Sequence, residues 1–153
     1  MASTNPARPS TPETGMEFFG LVWPGKEAAR AAASTPLPRH FTRDSALSTA
    51  VGADNAIIAA DNLPVLQELA SRGELFDVIY IDPPYNTGKD FVYCDNYRLR
   101  RQMRSGSYAE WHSQWLSMML PRLILARQVL STNGFIFVSI GEDEVANTRK
   151  VLD

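Results

Sequence analysis

The apolar run Val78-Ile79-Tyr80-Ile81 stops abruptly at Asp82-Pro83-Pro84-Tyr85, and no other feature of the chain limits its fold as tightly. The run reads as a strand. The two prolines lack backbone N–H groups and have a fixed φ, so they can neither continue a ladder nor open an ordinary helix. They can hold carbonyl oxygens rigidly at the C-terminal edge of a sheet, where open α/β folds place their ligands. Asp82 adds a carboxylate acceptor and Tyr85 a flat aromatic face. Acceptors beside a stacking platform suit a flat heterocycle that carries an amino group.

The amine of such a heterocycle, for example adenine N6, is a poor nucleophile because its lone pair is delocalised into the ring. If Asp82 and the Pro83 carbonyl accept its two N–H bonds, the nitrogen is drawn toward tetrahedral geometry and can attack an electrophilic methyl group. Positioning and electrostatics then supply the catalysis without a covalent enzyme intermediate. Tyr85 would stack on a base flipped out of its duplex, offsetting part of the unstacking cost.

The run Asp82-Pro83-Pro84-Tyr85-Asn86-Thr87-Gly88 resembles the catalytic motif of amino-specific DNA methyltransferases that use S-adenosylmethionine. Extended from Tyr80 through Lys89-Asp90-Phe91-Val92-Tyr93, it resembles the modification subunit of type III restriction-modification systems. Val22-Trp23-Pro24-Gly25-Lys26, Asp61-Asn62-Leu63 with Val65-Leu66, and Phe135-Ile136-Phe137-Val138-Ser139-Ile140 are similar to that family as well, so the likeness covers roughly residues 18–153. It implies transfer of a methyl group from S-adenosylmethionine to adenine N6 in double-stranded DNA with a flipped target base, within a restriction-modification system. A second methyltransferase subunit and a restriction subunit are the implied partners. Asp82, Pro83, Pro84 and Tyr85 are the implied catalytic residues. Asp61 would lie by the adenosyl part of the cofactor, although Ala60 stands where the family usually has Gly. Methylation of cytosine N4 suits the same geometry, but related cytosine enzymes more often carry Ser in place of the Asp.

The family's Phe-x-Gly-x-Gly cofactor loop and its target-recognition region both follow the catalytic motif, and neither occurs in this sequence. The expected reading is an N-terminal fragment holding part of a catalytic domain, inactive by itself. Its competitor from another class is an inactive, truncated DNA-binding or assembly remnant.

Six of the ten prolines fall in the first forty residues. Residues 1–15 are expected to be disordered and residues 16–54 to form an extension packing on the domain, with an apolar patch from Phe18 to Trp23, a turn at Trp23-Pro24-Gly25-Lys26 and an Ala-rich helix from Lys26 to Ala33. From residue 55 the pattern is α/β. It predicts a strand over 56–60, a helix capped by Asp61 or Asn62 and closed by Gly73, and a strand over 76–81. A long helix from Tyr108 to about Leu130 follows, kinked at Pro121, then a turn at Asn133-Gly134, a strand over 135–140 and a helix from Glu142. The fold class is α/β, a partial Rossmann-like methyltransferase sheet of about three parallel strands with flanking helices.

A net charge of −2 offers no global attraction for nucleic acid, so contact with DNA must rest on a local patch. Residues 89–104 provide one: Lys89, Arg98, Arg100, Arg101 and Arg104 outnumber Asp90 and Asp95, with Phe91, Tyr93 and Tyr97 interleaved. Trp111, Trp115, Met118 and Met119 read as core of the long helix. The single cysteine, Cys94, excludes an internal disulfide framework and suits a reducing compartment. No apolar run reaches membrane-spanning length, so a cytoplasmic protein is expected. His40 and His112 lack partners at metal-ligand spacing, and Ser139 with Asp143 lacks a nucleophile elbow, so neither a metal site nor hydrolase chemistry is expected.

Overall fold

The computed structural model describes residues 20–38, 41–48, 55–87 and 108–153. The expected disordered segment 1–15, Phe18 of the apolar patch, His40, Cys94 and the basic loop of Lys89, Arg98, Arg100, Arg101 and Arg104 lie outside the described residues. The elements in chain order are α1 (Lys26–Ala32), α2 (Asn62–Ser71), β1 (Phe76–Ile81), α3 (Tyr108–Val129), β2 (Leu130–Val138) and α4 (Glu142–Leu152).

β1 and β2 pair in parallel, with Val78, Ile79, Tyr80 and Ile81 opposite Phe135, Ile136, Phe137 and Val138. Parallel strands need a crossover, and α3 provides it. The pairing runs on past β2, since Ser139 donates its N–H to the Ile81 carbonyl at 2.9 Å. Alternation along the strands turns Ile79, Ile81 and Ile136 inward, while Phe76, Val78, Tyr80, Phe135 and Phe137 are exposed on the other face.

α3 is the spine. Trp115, Leu116, Met119, Leu120 and Leu123 are buried along it, with Trp23 and Ala29 from the N-terminal side completing the cluster. The indole of Trp23 donates to Ser117 Oγ at 2.9 Å, and Lys26 covers its ring while its ammonium caps the Leu21 carbonyl at 2.8 Å. Val22, in the same patch, points outward. Gln67 of α2 is buried, and its amide donates to the carbonyls of Ala32 and Ala33, which the end of α1 leaves without intrahelical partners, and to that of Thr35 just beyond. α2 is closed by Gly73, at φ 68, with the Gly73 N–H on the Ala70 carbonyl and the Glu74 N–H on Leu69. Helix α3 continues through Pro121.

Two expectations are corrected. The strand over 56–60 does not form: residues 55–60 are exposed, Ile57 wholly so at 101%, and they join no ladder, so the described sheet has two strands and not three. An apolar run becomes a strand only when a neighbour takes its backbone groups, and Ala-Ile-Ile-Ala-Ala has too little side chain to hold an edge by packing. β2 begins five residues before the expected 135, directly after α3, and Asn133-Gly134 lies inside the strand and not in a turn before it. The register slips there, from Phe76 opposite Leu130 to Val78 opposite Phe135, so the extra residues bulge. Gly134 permits this. A Cβ there would meet Leu130 Cδ1 at 2.7 Å and the Asp77 carbonyl at 3.1 Å.

Candidate active site

Where β1 ends, Asp82 emerges exposed, and Pro83, Pro84 and Tyr85 follow half-buried. The loop cannot bond to β2 through its prolines, so it is held from outside the sheet. The Trp115 indole donates to the Pro84 carbonyl at 2.7 Å. The Tyr85 ring lies over Gly141, whose absent Cβ would stand 3.6 Å from Cδ2. Its phenol is held above the ordinary tyrosine range, chiefly by a hydrogen bond to the Asp82 carboxylate, with desolvation and the Asp82 charge adding and Ser139 opposing. Ser139 itself shares a 2.6 Å hydrogen bond with the Tyr80 hydroxyl.

Asn86 comes next, at φ 59, in the left-handed region that Asn tolerates better than most residues. It is completely buried, accepts from the Trp111 indole and donates to Glu144 Oε1 at 2.6 Å. Glu144, from the first turn of α4, is also completely buried and bonds to His112 Nδ1 at 2.7 Å and Asn147 Nδ2 at 2.8 Å. Nothing in the sequence singled out Glu144, the third acid of Glu142-Asp143-Glu144, where charge at a helix start is commonplace. Trp115 belongs to the core side of α3 as expected, whereas Trp111 is half-buried outside the core cluster, and the N–H groups of both serve the loop.

On the α2 and α3 side of the loop lies a cleft of ≈ 440 Å³. Asp82, Pro83 and Pro84 form one rim, Ile79 and Ile81 the floor, and Leu66, Met118, Met119 and Leu123 the apolar wall, with Asn62 and Arg122 as polar groups opposite. Asp61 accepts the Leu63 N–H at 2.8 Å as the cap of α2, and also pairs with Arg122 at 3.0 Å. Arg122 in addition donates to Asn62 Oδ1 and the Met118 carbonyl, both at 2.7 Å. The structure therefore brings Asp82, Pro83 and Pro84 together with Asn62 and Arg122 around one cleft, which Asp61 does not itself line but touches through Arg122, while Tyr85 faces Gly141. Arg122 escaped the sequence reading because one of two isolated arginines in a long helix carries no pattern.

The sequence model of a family described as DNA methylase, the N6/N4 methyltransferases, matches residues 76–153, which contain this loop, both strands and α4. The chain belongs to this DNA methylase family. Among its relatives is the StyLTI Mod subunit, a type III restriction-modification enzyme of Salmonella typhimurium, 34% identical over 155 residues that cover 90% of this chain and 24% of the relative. The EcoPI Mod subunit of Escherichia phage P1 is 35% identical over 161 residues, 90% of this chain and 25% of its own length. The type II methyltransferase M.KpnI of Klebsiella pneumoniae is 37% identical over 108 residues, 70% of this chain and 25% of its own. The chain thus spans about a quarter of the length of the curated relatives it matches. Among the described residues no helix is long and apolar enough to cross a membrane.

Proposed function

We propose that this chain contributes the amine-activating part of a site-specific DNA methyltransferase that methylates adenine N6, as the modification component of a restriction-modification system. The observation that carries the reading is the placement of Asp82 and Pro83 on the rim of a ≈ 440 Å³ cleft at the C-terminal end of β1. Residues 55–153 would form part of the catalytic domain, with residues 16–54 packed on it, and the protein would act in the cytoplasm beside a restriction subunit and a second methyltransferase subunit.

The cleft suits S-adenosylmethionine in size and lining, being largely apolar with a few convergent polar groups. Asn62 and Arg122 would face the cofactor's polar groups, and Asp61 would act on the adenosyl part with Arg122 fixing its carboxylate. When bound, the cofactor supplies an electrophilic methyl group. The chain's own residues prepare the nucleophile. Asp82 Oδ and the Pro83 carbonyl accept the two N–H bonds of the target amine and localise its lone pair. As the nitrogen becomes cationic, the Asp82 carboxylate stabilises that charge. Tyr85 offers its ring to the flipped base, and Lys89, Arg98, Arg100, Arg101 and Arg104 would contact DNA phosphates.

The test is incubation of the intact protein with DNA and methyl-labelled S-adenosylmethionine, followed by mass spectrometry of the nucleosides. N6-methyladenine is the expected product, and N4-methylcytosine would move the assignment to the other amine. Absence of both, together with absence of S-adenosylmethionine binding, would overturn the reading.

A further inference from the structure

We infer that Glu144 is a positioning residue for the Asp82–Tyr85 loop, acting through Asn86. This deepens the methyltransferase reading and rests on it for the chemistry. The structural part of the inference stands on four observations. Glu144 is a completely buried acid two helices away from the motif in sequence, and a buried carboxylate persists only when its oxygens are engaged. Its oxygens are engaged by the side chains of Asn86, His112 and Asn147. Asn86 sits directly after Tyr85 at positive φ, so its side chain fixes the direction in which the chain leaves the motif. Trp115 pins the same loop from the other side at the Pro84 carbonyl.

With the Ile81 carbonyl held by the Ser139 N–H before the motif, the pins on Pro84 and Asn86 leave residues 82–85 little freedom. Asp82 is exposed, and its carboxylate, bonded to the Tyr85 phenol, keeps one aim only if the loop that carries both residues is itself held in place. Amine activation needs the Asp82 carboxylate and the Pro83 carbonyl to converge on one nitrogen. The linkage from α4 through Asn86 provides that rigidity without touching the substrate.

Glu144→Ala, Glu144→Gln and Asn86→Gly, made in the intact protein, test it. Asn86→Gly preserves access to the left-handed backbone while deleting the link, so it remains informative should Glu144→Ala fail to fold. Two quantities are measured: steady-state methyl transfer, and solvent exchange of the Trp115 indole N–H by NMR. Glu144→Ala and Asn86→Gly should lower kcat about 100-fold with KM for DNA and for S-adenosylmethionine little changed, and should speed indole exchange at least about tenfold. Glu144→Gln keeps an acceptor oxygen for Asn86 and His112, and should hold kcat within about tenfold of wild type. Unchanged kcat and unchanged indole exchange in the Ala and Gly variants would overturn the positioning role while leaving the methyltransferase reading intact. Faster indole exchange in a protein whose wild type transfers no methyl group would do the reverse: the loop lock stands and the proposed function falls.

Discussion

Trp115 Nε1 donates to the Pro84 carbonyl oxygen at 2.7 Å, from a ring with no exposed surface. A residue at the centre of the core therefore holds the motif loop directly. Trp115→Phe should keep most of the packing but strand a carbonyl that the prolines cannot satisfy by other means. The expected loss is about 1–3 kcal/mol in chemical denaturation, and a loss near zero would show that water takes the place of the indole.

Asp82→Ala should abolish methyl transfer while leaving DNA affinity within a few-fold, because the proposed mechanism has this exposed acid act on the base and not on phosphates. Filter binding alongside the labelled-methyl assay checks both halves. Appreciable turnover by the variant would remove Asp82 from the chemistry.

The Tyr85 phenol is held above its ordinary range mainly by Asp82, so its ionisation should occur above the usual value of about 10. The stabilisation from this hydrogen bond is present below the unfolded value and lost as pH rises through the folded one. Ultraviolet titration should follow the late phenolate, and Asp82→Asn should move it back toward about 10. If the titration is the same in both proteins, Asp82 is not the cause.

Tyr85→Phe should retain base flipping and most activity, whereas Tyr85→Ala should cost about 1–3 kcal/mol of affinity for the flipped base. Fluorescence of 2-aminopurine at the target position reports it. Equal signals from the two variants would argue against stacking.

Gly134→Ala drives a methyl group against Leu130 and the Asp77 carbonyl, at 2.7 and 3.1 Å. Leu130 can swing aside but the backbone carbonyl cannot, so a destabilisation of about 1–3 kcal/mol is expected in urea unfolding. A neutral substitution would mean that the bulge re-registers.

The parts legible in sequence were those carried by short-range chemistry. Asp61 before a helical run, Gly73 after it, and two prolines closing a β run each dictate a local conformation, and each appears where expected. The helical spans of α1, α2, α3 and α4 follow for the same reason. Residues 55–60 failed because a strand is a property of a pair, and the local pattern of Ala56 to Ala60 says nothing about whether a neighbour is in reach. Glu144 and Asn86 were invisible as a pair because their meeting depends on the parallel register of β1 and β2, which brings together residues 58 positions apart. Nothing within either segment encodes that encounter.

That separation sets an order of events during synthesis. Residues 82–86 leave the ribosome well before Glu144 does, and at about 5–20 residues per second the interval lasts several seconds. Throughout it Asn86 has no Glu144 carboxylate to bind, and for about the first half the Pro84 carbonyl also waits for Trp115 to be made. The reactive loop takes its working shape only after the second strand and the start of α4 have been made, so a nascent chain stalled before residue 144 carries the motif without its geometry.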